Sequence, residues 1–296
     1  TPAFVLANAS DTANGGASVV GTYQINVGLN TTVLGNGWGA GTWGRGSWGS
    51  AANISATTDT LRIWSHDNFG EDLLINVRDG DIYYWDASIP GPLSSRAVEL
   101  SSLSGATSAP TIAKQIIVSD QNRHIVAFGC DSEAVPGVQD PLLIRFSDQE
   151  SLTDWATTAT NTAGELRLGS GSEIIMAVET RQEILVFTNR SLYSMQFLGP
   201  PFTFGLNHLS ENTTIRSPLA AIAVEDNVFW MGKREFYAYG GTVQRLPCTV
   251  LDYVFNDFNE SQAEKVTAGV NSLFAEVWWF YPSANSDDKD LVLWEH

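Results

Sequence analysis

Positive charge is scarce in this sequence: 16 Lys and Arg stand against 33 Asp and Glu, a net charge of 16 − 33 = −17. No Lys/Arg-rich run occurs in it. Nucleic-acid affinity comes mainly from phosphates neutralised by such side chains, so a grip on DNA or RNA is excluded. Long apolar runs are missing as well. None approaches the roughly 20 residues that span a bilayer, and no secretory leader opens the chain, so a soluble protein is expected. Two cysteines, Cys130 and Cys248, are too few for a disulfide framework or a four-ligand zinc site, and both are expected as buried free thiols. His66, His124, His208 and His296 lie in separate segments, none with a second His or Cys at ligand spacing. There is no GxSxG, and Gly39 to Gly44 matches GxGxxG without following a strand or opening a helix. Nothing among the acids nominates a carboxylate pair for sugar hydrolysis. Asp287-Asp288-Lys289-Asp290 has the composition of a calcium loop without its spacing and reads as a solvated turn. No catalytic, cofactor-binding or metal residue is assigned, and the chain reads as non-enzymatic.

What is abundant is a repeated hairpin. Glu183 to Phe197, EILVFTNRSLYSMQF, holds two short apolar runs hinged on Thr188, Asn189, Arg190 and Ser191. Runs this short, rich in Ile, Val, Phe and Tyr, have the composition of an antiparallel pair. The pattern returns in Leu74 to Trp85, where Asp79-Gly80 supplies the turn, and in Val228 to Tyr239. It returns with longer turns in Ile125 to Phe146 and Val277 to Trp294. First strands at 74, 125, 184, 228 and 277 give spacings of 51, 59, 44 and 49 residues. A period near 40 to 50 residues with several strands per repeat is the signature of β-propeller blades. Further apolar runs precede the hairpins, Leu61 to Trp64, Ile112 to Val118, Ile174 to Val178, Leu219 to Val224 and Val266 to Val270, and each is expected as an inner strand. The fold class is therefore all-β, a propeller of antiparallel blades over residues 59–296.

Residues 1–58 differ. They contain two charged side chains, Asp11 and Arg45, and a Trp-Gly loop from Gly35 to Ser50 with Trp38, Trp43 and Trp48 at a period of five. That period belongs to neither helix nor strand, so an ordered loop is expected, its tryptophans packed on the propeller or a neighbouring subunit. Ser88 to Pro110 reads as the gap between the first two blades, and Leu198 to Ser217 as a long excursion between blades. In RFSDQESLTDW, Ser147-Asp148 and Asp154-Trp155 bracket a polar turn, with Trp155 packed between strands. Val250 to Gln262 is expected as a short helix or turn. Trp278 and Trp279 complete the set of structural or interface candidates. Thr1-Pro2 and the strand-like Leu291 to Trp294 at the other end give the expectation of a piece of a longer polypeptide.

Several of these segments, in order, are specific: Tyr23-Gln24-Ile25-Asn26-Val27, GWGAGTWG, RFSDQESLTDW, AGELRLGSGSEI, RQEILVFTNRSLYSMQFLG, SPLAAIAVEDNVFWMG, FYAYGGTVQRLPCTVLDYVFNDFN and AGVNSLFAEVWWFYPS. From about Tyr23 to its end the chain resembles the tail nozzle proteins of short-tailed bacteriophages, also called tail stabilisation or tail tubular B proteins. The resemblance implies a propeller in each subunit, a ring of six subunits in the virion tail, and a central channel through which the genome leaves. It also implies contacts with the head-to-tail adaptor and with tail fibres or a needle, and no cofactor, catalytic residue or membrane span. An acidic wall suits this role, because every phosphate held by a cation would retard sliding DNA. The alternative is a carbohydrate-binding or glycan-degrading propeller of sialidase type, favoured by ten Trp and many acids. A WD40-type interaction propeller is weaker, since Trp85-Asp86 is a solitary match to its marks.

Overall fold

The computed structural model describes residues 28–32, 61–89 and 95–295. Five antiparallel sheets follow one another along the chain. The first holds β1 (Trp64–Phe69), β2 (Asp72–Val77), β3 (Ile82–Trp85) and β4 (Val98–Glu99), paired in that order. The second holds β5 (Gln115–Val118), β6 (Ile125–Phe128), β9 (Leu143–Phe146) and β10 (Gly164–Arg167); a side hairpin of β7 (Asp131–Ser132) and β8 (Val135–Gln139) interrupts it. The third runs β11 (Ile174–Glu179), β12 (Ile184–Thr188), β13 (Ser191–Gly199), β14 (Thr203–Glu211). The fourth runs β15 (Ala221–Val224), β16 (Asn227–Met231), β17 (Phe236–Tyr239), β18 (Val243–Leu246). The fifth has three described strands, β19 (Thr267–Asn271), β20 (Glu276–Tyr281) and β21 (Leu291–Glu295). Sequential sheets of this kind, each a meander leading into the next, make a β-propeller of five blades.

Local chemistry sets the hairpins. Asp79 takes a positive φ of 57° between β2 and β3, and Gly80 donates its N–H to the Val77 carbonyl at 2.8 Å. Between β12 and β13 the Thr188 hydroxyl accepts from the Ser191 N–H at 2.8 Å, closing a two-residue turn at Asn189 and Arg190. Strands β6 and β12 are buried at every position, which explains why they read as unbroken apolar runs: each is covered by a neighbouring blade on both faces.

The core lies between blades. Leu74, Ile116, Ile125 and Trp155 fill the first interface, Phe128, Ile144, Val186 and Phe204 the second, and Phe187, Trp230, Phe236 and Trp279 the remainder. Polar side chains stitch the inner strands together. Ser65 and Asp67 of β1 accept from the backbone of Ile116 and Val118 at 3.2 and 2.8 Å. Gln115 of β5 exchanges two hydrogen bonds with Ala177 of β11, at 2.7 and 2.8 Å. The Ala268 N–H donates to Leu219 at 2.7 Å between blades 4 and 5.

Some expectations shift. Leu61 bridges in parallel to Leu29, so the ladder of β1 begins only at Trp64. The stretch from Ser88 to Pro110 is not wholly a gap, because Val98 and Glu99 pair with Tyr84 and Tyr83 as the outer strand of blade 1. Leu198 to Ser217 is not an excursion between blades but largely the end of β13 and all of β14. Val250 to Gln262 divides into an α-helix, α1 (Leu251–Asn256), and a 3-10 segment from Glu260 to Lys265; Val254 and Phe258 face the core and Val250 does not. Cys130 is buried as expected, whereas Cys248 is half-buried, and no disulfide joins them.

Candidate functional site at the closure seam and the propeller axis

Blade 5 returns to blade 1 through Gly28–Thr32. The Arg62 N–H donates to the Leu29 carbonyl at 2.9 Å. On the other side the buried Gln262 amide takes the Thr32 N–H at 3.1 Å and donates to the Thr32 carbonyl at 3.0 Å, a reciprocal pair that mimics a strand contact. Gly28 sits so close to Arg62 that a Cβ would lie 2.4 Å from its Nε. Lys265, 7% exposed, bonds Asp288 at 2.9 Å, the Asp287 carbonyl and Thr31. The acidic turn at Asp287 to Asp290 is thus a solvated turn that also anchors a buried cation. Beside this seam lies a cavity of about 710 Å³ whose wall includes Trp64, Arg62, Glu264, Asp288 and Lys289.

The axis is charged at both ends. At one end Arg78, from the β2–β3 turn of blade 1, passes blade 2 and donates to the Ile175 carbonyl of β11 at 2.8 Å. Its neighbour Asp79 meets Lys114 at 3.1 Å, and Lys114 meets Glu173 at the same distance. Burial pulls the Arg78 guanidinium below its ordinary range, although Asp79, Glu173 and Glu264 oppose the shift. Burial alone would raise Asp79, but Lys114, Gln139 and Arg78 outweigh it and hold the carboxyl low. At the other end three successive inner strands bring Asp67, Asp120 and Glu179 together. Burial, then the charges of Asp120 and Asp67, push the Glu179 carboxyl up to about 7, against the Asp120 N–H that donates to it at 3.0 Å. Sequence reasoning passed over both ends. Arg78 and Asp79 look like ordinary turn residues, and their partners lie in other repeats.

The tryptophans assigned from sequence divide in three. Trp38, Trp43 and Trp48 lie outside the described residues. Trp155 is 1% exposed, its indole N–H on the Leu152 carbonyl at 3.1 Å, and its own carbonyl accepts from the buried Arg145. Trp279 is fully buried and reaches from blade 5 to the Ala220 carbonyl of blade 4 at 3.0 Å. Trp278, its neighbour on the opposite face of β20, is half-buried and donates to Glu276 at 3.0 Å. Trp155 and Trp279 are therefore packing residues. Among the described residues no group of three or more His, Cys, Asp or Glu is placed to hold a metal ion, and no helix is long and apolar enough to cross a membrane.

No protein-family model and no curated protein sequence matches the chain. Solved structures similar to it include Hsv2 of Kluyveromyces lactis, at 8% identity and TM-score 0.39 over 77% of this chain. The computationally designed Ika8 protein matches at 11% identity and TM-score 0.42 over 79% of this chain. This chain spans 62% of the length of each of these two structures. The AfRom2 CNH domain matches at 12% identity and TM-score 0.44, over 77% of this chain and 70% of that one.

Proposed function

We propose that the chain is a structural, non-enzymatic subunit of the tail nozzle of a short-tailed bacteriophage. Copies form a ring, expected to be a hexamer, that docks to the head-to-tail adaptor above and to tail fibres or a needle, and the genome passes between them. The observation that carries this reading is the ordered series of segments, from Tyr23 to the VWWFYPS hairpin, that resembles the nozzle family. Two features of the molecule support it. Arg78 of blade 1 reaches the Ile175 carbonyl of blade 3 across the inner strands, which suits a route for a duplex through a ring of propellers better than one along the axis of a single propeller. A charge of −17 suits a wall along which DNA slides without being held. Electron microscopy of the purified chain, and of virions carrying it, tests the proposal: sixfold rings on the tail axis are the expected result. Discrete monomers or trimers with glycan-binding activity would overturn it.

A second reading, a carbohydrate-binding propeller, draws on the 710 Å³ cavity at the closure seam, where half-exposed Trp64 stands among charged groups. Loss of glycan-array binding on Trp64→Ala would favour it.

A further inference from the structure

In an antiparallel meander the turn between strands one and two and the turn between strands three and four emerge on the same face. On that face blade 3 departs from its neighbours. Strands β13 and β14 are nine residues each, and pairing with β12 ends at Met195, so the backbone of Gln196 to Gly199 pairs with β14 alone. The hairpin therefore stands out as a tongue. At its tip Leu198 and Phe202 are 60% and 73% exposed. From Ser191 to Ser210 it contains no Asp, Glu, Lys or Arg. Its base is firmly set: Phe197 and Phe204 pack on the buried His124 ring of blade 2, with centroids 5.7 and 5.2 Å away.

The seam between blades 4 and 5 opens on the same face as a groove of about 680 Å³, walled by Val224, Phe229, Leu246, Pro247 and Val277. Leu273 and Phe274, 82% and 60% exposed, form the tip of the adjoining β19–β20 turn. An apolar tongue and an apolar groove, both open to water among the described residues, mark contact surfaces.

We propose that the tongue of one copy seats in the blade 4–5 groove of a second copy, Phe202 and Leu198 leading. The occupant follows from charge. Two molecules of net charge −17 repel, so they meet closely only through surfaces that carry little of it. The tongue carries none. The groove wall includes two carboxylates, Glu225 and Glu276, and Glu276 already accepts from Asn271 and Trp278. A cationic partner would find an uncharged tongue and an apolar floor, whereas one chain supplies both halves of the fit. Burying one Phe side chain removes on the order of 150–250 Å² from water. Because tongue and groove are different surfaces, the contact is heterologous: after one contact the first copy keeps a free groove and the second a free tongue, and the chain of contacts closes into a ring when the rotation allows. The inference rests on the ring reading above and names its joint.

The test uses two variants in a Cys248→Ser background, Phe202→Cys and Val224→Cys, expressed separately, mixed, and treated with a short bismaleimide. Cys130 does not interfere, since it is buried and its thiol is pushed up to about 12. A crosslinked dimer in the mixture and in neither variant alone is the expected result. In parallel, Phe202→Asp, at an exposed tip, is expected to abolish the assembly peak in sedimentation while leaving the melting temperature unchanged. Rings that persist in Phe202→Asp and yield no crosslink overturn this contact and leave the nozzle reading standing. A chain that is monomeric at every concentration also overturns the contact, and microscopy of virion rings then decides the nozzle reading by itself. Binding of the tongue to zwitterionic liposomes with no crosslinking would reassign it to lipid and equally overturn the proposal.

Discussion

Glu179 carries the clearest consequence for a single residue. Its folded carboxyl titrates at about 7 against an ordinary 4.5, so between those values the folded chain binds more protons than the unfolded one. Stability therefore falls as pH rises through that window, and the deficit is constant above it. Glu179→Gln removes the deficit. Discounted for solvent screening, the gain at pH 8 is on the order of 1 kcal/mol, or about 2–4 °C in Tm, and it vanishes as pH falls toward 4.5. Thermal melts of both proteins from pH 4.5 to 8 check this; an equal shift at all pH values would contradict it. None of this could be read from the sequence. Asp67, Asp120 and Glu179 fall in three different repeats, and only the packing of successive blades makes them neighbours. Trp279 was legible because an indole inside an apolar strand has few alternatives to packing, and Trp155 because an indole beside a polar turn needs an apolar surface to cover it, whereas Arg78 gave no sign that it reaches a carbonyl 97 positions away.

The hairpins are the elements the sequence exposes best, since each turn is closed by residues within a few positions of it: Asp79-Gly80 by its positive φ, Asn189-Arg190 by Thr188. Inner strands were placed but began too early where a flanking apolar residue serves another partner, as Leu61 serves Leu29. Outer strands were the least legible. Val98 and Glu99 make a two-residue strand whose only signal is its partner, and β14 follows Pro200-Pro201, which reads as a loop. The link between Thr32 and Gln262 was invisible for the same reason, being 230 positions long. It yields a prediction at this scale. Gln262→Ala leaves the N–H and carbonyl of Thr32 without these partners, a loss on the order of 1–3 kcal/mol. Hydrogen exchange should rise at residues 28–32 and at the start of β19 well before it rises in β12 or β16, and uniform deprotection across all blades would contradict the assignment.

For the molecule as a whole, charge and topology point the same way. With 16 cations, several of them committed to internal pairs such as Lys114 with Asp79 and Glu173, little positive surface remains for a polyanion. The expected outcome is no retardation of duplex DNA in a gel-shift titration even at low ionic strength; a salt-sensitive shift would argue against the sliding wall proposed above. The disc also has an uneven circumference. Successive blades from 1 to 5 are joined by aromatic and aliphatic interfaces, whereas among the described residues blade 5 meets blade 1 through Gly28–Thr32, tied to Arg62 on one side and to Gln262, Glu264 and Lys265 on the other. Mechanically this joint is a clasp: in the ring proposed above, tension around the rim of the disc would bear on these hydrogen bonds. Pulling by force spectroscopy is expected to release Gly28–Thr32 from Gln262 and Lys265 before any blade loses a strand, and loss of a blade strand first would contradict it.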